Sequence, residues 1–181
     1  MARTRHTQVK KLTTPGEFRG HLAALGVELP FEDEVDPSGV LAAPLPIHDG
    51  AIGTRVAPNR WAVLPMEGWD GDEHGRPTDL VRRRWGRFAT SGAGLVWGEA
   101  TAVRHDGKAN PHQLVLDETT VDDIASLRGM LDPSQVTVLQ LTHSGRYARP
   151  TAAGPAPRTL YRHPLLDARV GAGDEEVFGD D

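Results

Sequence analysis

Cysteine is absent from the 181-residue sequence, and this absence excludes disulfides, thiolate metal ligands and cysteine nucleophiles. Long apolar runs are absent too, since none approaches the roughly 18 residues that a transmembrane helix needs. The basic start, Met1 to His6, is not followed by the apolar stretch of a secretory signal. We therefore predict a cytoplasmic protein that makes no membrane contact.

An excess of positive charge is also missing. The formal net charge is −5, which disfavours non-specific binding to nucleic acid or to an anionic membrane. Hydrophobic residues make up 38% of the chain and charged residues 25%, as in soluble globular proteins. These values predict a soluble protein of about one domain without a nucleic-acid partner.

The first 46 residues predict one helix followed by an extended arm. Thr14 can cap a helix that has Pro15 in its first turn and Glu17 three positions after the cap. Gly26 ends the helical spacing of apolar residues. Four prolines and an acidic group then follow within residues 30–46, which favours a loop or an extended arm.

A hairpin and three strands alternating with helices are predicted over residues 47–150. The turn pair Asp49-Gly50 predicts the hairpin, which could close the bottom of a barrel. The three strands are short apolar runs at about Trp61–Met66, Leu95–Ala100 and Val136–Leu141. Nearly continuous apolar strands between helices indicate a parallel sheet covered on both faces. Residues 151–181 are rich in proline and glycine, end in acidic residues and predict no further helix or strand.

Helical spacing locates the two helices between these strands. Val81, Trp85 and Phe88 mark the buried face of the first helix. Thr120 is predicted to cap the second, with Asp123 at the capping-box position. We further expect Trp61, Trp85 and Trp97 in the core, Arg82, Arg83 and Arg84 on a solvated helix face, and His105 and His112 at the surface.

Polar groups collect where the third predicted strand ends. Gln140, His143 and Arg146 follow an apolar run, and in an α/β barrel such strand ends face the catalytic mouth. The alternative is a strand-end polar network that binds no ligand. We predict no metal site, because the loop that starts at Asp70 resembles a calcium loop but has Val81 at the twelfth position, where glutamate is required.

Three motifs in this order resemble the old yellow enzyme family. Leu139–Arg146 is similar to the family's third-strand motif, Leu64–Gly68 to the first and Gly98–Val103 to the second. Members of the family are FMN-dependent NAD(P)H oxidoreductases and ene-reductases built on a TIM (β/α)8 barrel. The resemblance covers about residues 45–170. It implies the N-terminal part of such a barrel, with about three parallel strands after an N-terminal arm and hairpin.

The resemblance also implies a cofactor, a reaction and site residues. The cofactor would be FMN, the reductant NAD(P)H and the substrate a small molecule, an activated alkene or a related acceptor. Pro65, Met66 and Glu67 would lie against the flavin ring, while Ala100 would offer its backbone amide, and Gln140 its carboxamide, to the pyrimidine edge. Trp69, His143 and Arg146 would line the substrate pocket. A carboxamide and an N–H match that edge without adding a charge.

Two departures from the family pattern limit what these residues can do alone. Glu67 stands where threonine or cysteine is usual, and a carboxylate there should disfavour an anionic reduced flavin. The family's later His-x-x-His or His-x-x-Asn motif, tyrosine donor and phosphate-binding loops do not follow Arg149. We therefore expect weak or no FMN binding, no turnover, and self-association through an incomplete barrel. The alternative function is a truncated, non-catalytic relative that binds no flavin alone or acts only with another chain.

Overall fold

A computed structural model describes residues 7–51, 53–174 and 177–179. The chain forms two compact units, Met1–Gly39 and Val40–Asp181. The helices and strands are α1 (Pro15–Leu25), β1 (Leu45–Asp49), β2 (Gly53–Ala57), β3 (Ala62–Val63), α2 (Asp79–Ala89), β4 (Leu95–Ala102), α3 (Val121–Gly129), β5 (Val136–Thr142) and α4 (Pro164–Val170). Within the described ranges, no helix is long and apolar enough to cross a membrane.

The first unit is built around α1, and its capping residues act as predicted. The Thr14 hydroxyl accepts a hydrogen bond from the Glu17 N–H at 3.2 Å, and the Glu17 carboxylate accepts one from the Thr14 N–H at 3.2 Å. Gly26 ends the helix in the left-handed region with φ 65°. Phe18 packs edge-on against Phe31, with ring centroids 5.0 Å apart, so the extended arm folds back onto the helix.

The second unit begins with the predicted hairpin. Strands β1 and β2 pair antiparallel, with Leu45 opposite Ala57 and Asp49 opposite Gly53. The hairpin starts two residues earlier than the predicted Ile47, because Leu45 and Pro46 also lie in the ladder.

The second unit continues as a three-stranded parallel sheet in the order β3-β4-β5, which confirms the predicted α/β class. Strand β3 is shorter than predicted, since Pro65 has no N–H to donate to a ladder. One bond still extends the pairing, from the Ala100 N–H to the Met66 carbonyl at 2.9 Å. The described strands form an open sheet and do not close into a barrel.

Both long helices of this unit pack on the same face of the sheet. Val81 and Trp85 of α2, Ile124 and Leu127 of α3, and Val96 of β4 belong to one buried cluster. A Cβ on Gly98 would lie 2.7 Å from the Trp85 ring, so the absence of a side chain there lets the indole reach the strand. The predicted buried face of α2 is thereby confirmed.

The opposite face of the sheet is less covered than the sequence predicts. Trp97 is 41% exposed and Trp61 is 58% exposed, so the prediction that both lie in the core is wrong. Trp97 alternates with Val96 and Gly98, which face the helices, and therefore points to the other side. Among the described residues, no helix packs over that side.

The start of α3 also differs from the prediction. The Thr120 hydroxyl does not cap the helix but donates to the Val115 carbonyl at 2.7 Å. The Asp123 carboxylate is bound by Arg76 and so does not complete a capping box. Both side chains serve contacts with neighbouring loops, which spacing along the helix does not reveal.

Helix α4 lies in the segment where no helix was predicted, so that prediction is wrong. The His163 ring nitrogen Nδ1 caps the helix by accepting from the Leu166 N–H at 3.2 Å. Pro164 begins the helix, and Gly171 ends it in the left-handed region with φ 69°. The helix is only seven residues long, too short for an apolar period to stand out in the sequence.

Replacing Gly98 with alanine should destabilise the protein by about 1–3 kcal/mol, because the new methyl group would displace the buried indole of Trp85. Urea denaturation of both forms measures the difference. Gly129→Ala is the matched control, since a Cβ there has no neighbour within 4 Å and alanine favours a helix. Equal losses at the two positions would contradict this account of the core.

Candidate functional site

Three predicted flavin residues form a row across the carboxyl ends of the strands. The Ala100 N–H donates to Met66 O, and Ala100 is also the register partner of Gln140 on β5. Leu139 packs on the helix side, so Gln140 points to the opposite, open face. Its half-buried carboxamide makes no hydrogen bond within the described part of the chain. The structure thus brings Met66, Ala100 and Gln140 together.

A buried glutamine, Gln113, was not predicted from the sequence and joins the two strands that carry Ala100 and Gln140. The Gln113 amide donates to Ala100 O and to the Thr142 hydroxyl, both at 3.1 Å. Its carbonyl oxygen accepts from the Ala109 N–H at 2.6 Å. Each polar atom of this carboxamide therefore has a partner, as burial requires. The ends of β4 and β5 are held at a fixed separation by one side chain.

Glu67 is oriented by a second residue that the sequence did not reveal. The fully buried Asn110 donates from Nδ2 to Glu67 Oε1 at 2.9 Å and to Gly68 O at 3.0 Å. Its own oxygen accepts from the His112 N–H at 2.9 Å. A neutral amide thus holds the carboxylate without neutralising it. Pro65, the neighbouring predicted site residue, is half-buried.

A buried lysine also braces the loop after β4. Lys108 Nζ donates to the carbonyls of Glu73 and Pro111 at 3.0 and 2.9 Å. Burial lowers the pKa of Lys108, although Asp72 and Glu73 oppose that shift with their negative charge. The lysine therefore links this loop to the loop that follows β3.

The loop after β3 is tied to α2 and β4 by an ion-pair network around one buried carboxylate. Arg84 Nη2 lies 2.8 Å from Glu99 Oε1 and 2.9 Å from Asp70 Oδ1, and Trp85 Nε1 donates to Glu99 Oε1 at 2.9 Å. Glu99 is only 3% exposed. The prediction that Arg84 lies on a solvated face is therefore wrong, because two carboxylates draw it between the helix and the sheet. Arg83 is exposed as predicted.

Trp69 belongs to a cavity beside this network. The cavity has a volume of about 320 Å³ and is lined by residues that include Leu64, Met66, Glu67, Trp69, Trp97 and Glu99. Met66 is 73% exposed and Trp69 65% exposed, so both apolar side chains are available to a ligand. The structure thus places Trp69 next to two of the predicted flavin residues.

His143 and Arg146 line a different cavity, so the structure does not bring them together with Trp69. Arg146 Nε lies 2.6 Å from Asp167 Oδ1 on α4, and its Nη2 donates to Tyr161 O at 2.9 Å. His143 Nδ1 accepts from the Gly145 N–H at 3.0 Å. Residues after Arg149 therefore bind the third-strand motif.

An arginine-bound aspartate lies beside this second cavity. The pKa of Asp106 is lowered to about 2, chiefly because Arg104 donates two hydrogen bonds to it, with a further contribution from Arg158. His143 Nε2 lies 3.9 Å from the same carboxylate.

His105 and His112 are exposed as predicted. Within the described residues, no group of three His, Asp or Glu side chains is placed to hold a metal ion.

No protein-family model matches the chain, and no curated protein matches it in sequence. Its fold, however, resembles parts of solved structures. An old yellow enzyme homologue from Zymomonas mobilis aligns at 22% identity and TM-score 0.52, over 68% of this chain and 33% of that one. Morphinone reductase in complex with tetrahydroNAD aligns at 21% identity and TM-score 0.53, over 67% and 32%. The old yellow enzyme from Trypanosoma cruzi aligns at 19% identity and TM-score 0.51, over 70% and 38%.

This chain spans about a third of the length of those three structures. At such identities the likeness shows a shared fold. The described residues thus have the fold of part of an old yellow enzyme-type α/β barrel. Which chemistry the chain supports depends on its own side chains.

Glu99→Gln should lower the free energy of unfolding by about 1–3 kcal/mol, because it removes the charge that Arg84 faces in a buried setting. Glu118→Gln is the control at an exposed position and should change stability by less than about 0.5 kcal/mol. Denaturation midpoints in urea give both values. A loss no larger than the control's would show that the Arg84 contact contributes little.

Asp106 should make stability depend on pH. Its folded-state pKa is depressed, so its stabilisation is complete above its unfolded pKa of about 3.9 and is lost as pH falls through about 2. Asp106→Asn should therefore cost roughly 1–2 kcal/mol at pH 6 and less at pH 3. Asp122→Asn, on the exposed side of α3, is the control. A penalty that does not shrink between pH 6 and pH 3 would refute the assignment.

Proposed function

We propose that this chain forms one wall of the flavin site of an old yellow enzyme-type oxidoreductase. The cofactor would be FMN, the reductant NAD(P)H and the acceptor an activated alkene or a related small molecule. The observation that carries the proposal is the row formed by Met66, Ala100 and Gln140 at the carboxyl ends of three parallel strands. Active sites of barrel folds lie at that end.

The chemistry of the row suits the polar edge of a flavin. Gln140 offers a donor and an acceptor from one unengaged, uncharged carboxamide on the open face of the sheet. The Ala100 N–H already donates to Met66 O, so its proposed contact with the flavin requires an exchange of that bond. Gln140 is therefore the stronger of the two assignments.

FMN, when bound, supplies hydride transfer, and the protein supplies position and electrostatics. Met66 offers an exposed apolar side chain to a ring. Glu67 adds a negative charge whose orientation Asn110 fixes. That charge opposes the accumulation of further negative charge beside it, so Glu67 would disfavour an anionic reduced ring.

The substrate side of the proposed site rests on fewer contacts. Trp69 lies in the same cavity as Met66 and Glu67, where an exposed indole can cover a flat acceptor. His143 and Arg146 would act more remotely, because Arg146 is held by Asp167 and Tyr161. We propose that His143 and Arg146 shape the part of the site that follows β5 and do not contact the substrate directly.

Gln140→Leu should weaken FMN binding by about 1–3 kcal/mol, because a polar edge of the flavin loses its partner. Binding is followed by NMR of the amide and indole groups of the 181-residue chain at millimolar FMN, where weak binding is visible. The Gln140 side-chain signal should move in the parent protein. Gln8→Leu, in the first unit, is the matched control and should leave the Kd unchanged.

An unchanged Kd in the Gln140 variant would refute the proposed contact. Addition of NADPH and an activated alkene to the same samples tests turnover. Absence of any FMN-dependent shift, even at saturating concentrations, would favour a chain that binds no flavin by itself.

A further inference from the structure

A larger cavity lies on the helix side of the sheet, away from the proposed flavin wall. Its volume is about 590 Å³, and it opens between α3, β5 and the hairpin strand β2. Residues of α3, among them Ile124 and Ala125, line it together with residues of β5, among them Leu139, whose side chain packs on the helix side. A mostly apolar cavity of roughly 300–1,000 Å³ is typical of small-molecule sites.

The charged groups of this cavity carry a single sign. Arg55 of β2 and Arg128 of α3 are the ionisable side chains among its described lining residues. Neither guanidinium has a carboxylate partner in the described part of the chain. Other arginines of this unit, such as Arg84 and Arg146, form ion pairs with carboxylates. Positive charge at this cavity is therefore available to a ligand.

This combination specifies a kind of ligand. An apolar body would replace water along α3 and β5, which gains free energy with the area covered. A carboxylate at one end would match the planar guanidinium, which binds carboxylates through paired hydrogen bonds. A cationic head would be repelled by both arginines. A neutral head could accept a single hydrogen bond but would lack the charge attraction of a carboxylate.

We propose that this cavity binds an amphiphilic monocarboxylate, such as a medium-chain fatty acid, with its chain against α3 and β5 and its carboxylate at Arg55 and Arg128. The site does not depend on the proposed flavin function, since none of the predicted flavin residues lines the cavity.

The experiment titrates the 181-residue chain with dodecanoate below its micelle concentration and follows binding by calorimetry and by NMR of β5 amides. We expect one site per chain. Arg128→Gln and Arg55→Gln should each weaken binding by roughly two- to fivefold, the usual range for partly exposed charge pairs. Ala125→Trp, which fills the cavity from an exposed position of α3, should abolish binding.

Arg83→Gln is the matched control, since Arg83 is exposed on α2 and does not line the cavity. Dodecyltrimethylammonium and dodecanol test the head group and should bind more weakly than dodecanoate. Equal affinity for the cationic amphiphile, or equal loss in the Arg83 control, would overturn the proposal. A concentration-dependent dimer that Ala125→Trp dissociates would also overturn it, because a second copy would then cover the cavity.

Discussion

The hydrogen bonds that Arg84 and Trp85 donate to the buried carboxylate of Glu99 hold the second unit together. Glu99 thereby joins the central strand β4 to α2. Arg84 in turn binds Asp70 in the loop after β3. A buried carboxylate is tolerable only when such partners replace water. Strand, helix and loop are consequently fixed together at the end of the sheet where the candidate site lies.

The candidate site is held mainly by buried amides. Gln113 bridges the ends of β4 and β5, and Asn110 orients Glu67 while binding the backbone of Gly68. Each amide has both its donor and its acceptor engaged. Satisfied networks of this kind hold geometry firmly, because any displacement leaves a buried polar atom without a partner. Gln140, by contrast, keeps its carboxamide unengaged on the open face, as a ligand contact requires.

The similarity to solved structures supports the fold, whereas the side chains at the strand ends support the proposed flavin site. Partial alignment with old yellow enzymes establishes the parallel α/β arrangement, and one fold supports many chemistries. The flavin assignment depends instead on the row at the strand ends and on the residues around it. Asn110 holds the Glu67 carboxylate in place, so in the proposed site a negative charge would lie beside the flavin ring.

Local patterns in the sequence determined most of the secondary structure. The capping box of Thr14 and Glu17, the hairpin around Asp49-Gly50, the extended segments of β4 and β5 and the buried face of α2 all follow from neighbouring residues and their period. These features depend on residues close together in the sequence, so local sequence patterns predict them. The position of Gln140 directly after an apolar run can be read from the sequence in the same way, and its role as a ligand contact stays a prediction.

Only the tertiary structure decided which distant polar groups meet and which strand faces are covered. Arg84 has the sequence context of a solvated residue, yet Glu99, on the neighbouring strand, draws it inward. Trp97 has the context of a core residue, yet no helix of the described chain covers its side of the sheet. Asp167 binds Arg146 across 21 positions of sequence. Such pairings depend on how separate elements pack, and hydrophobic periodicity carries no information about the partner of a charge.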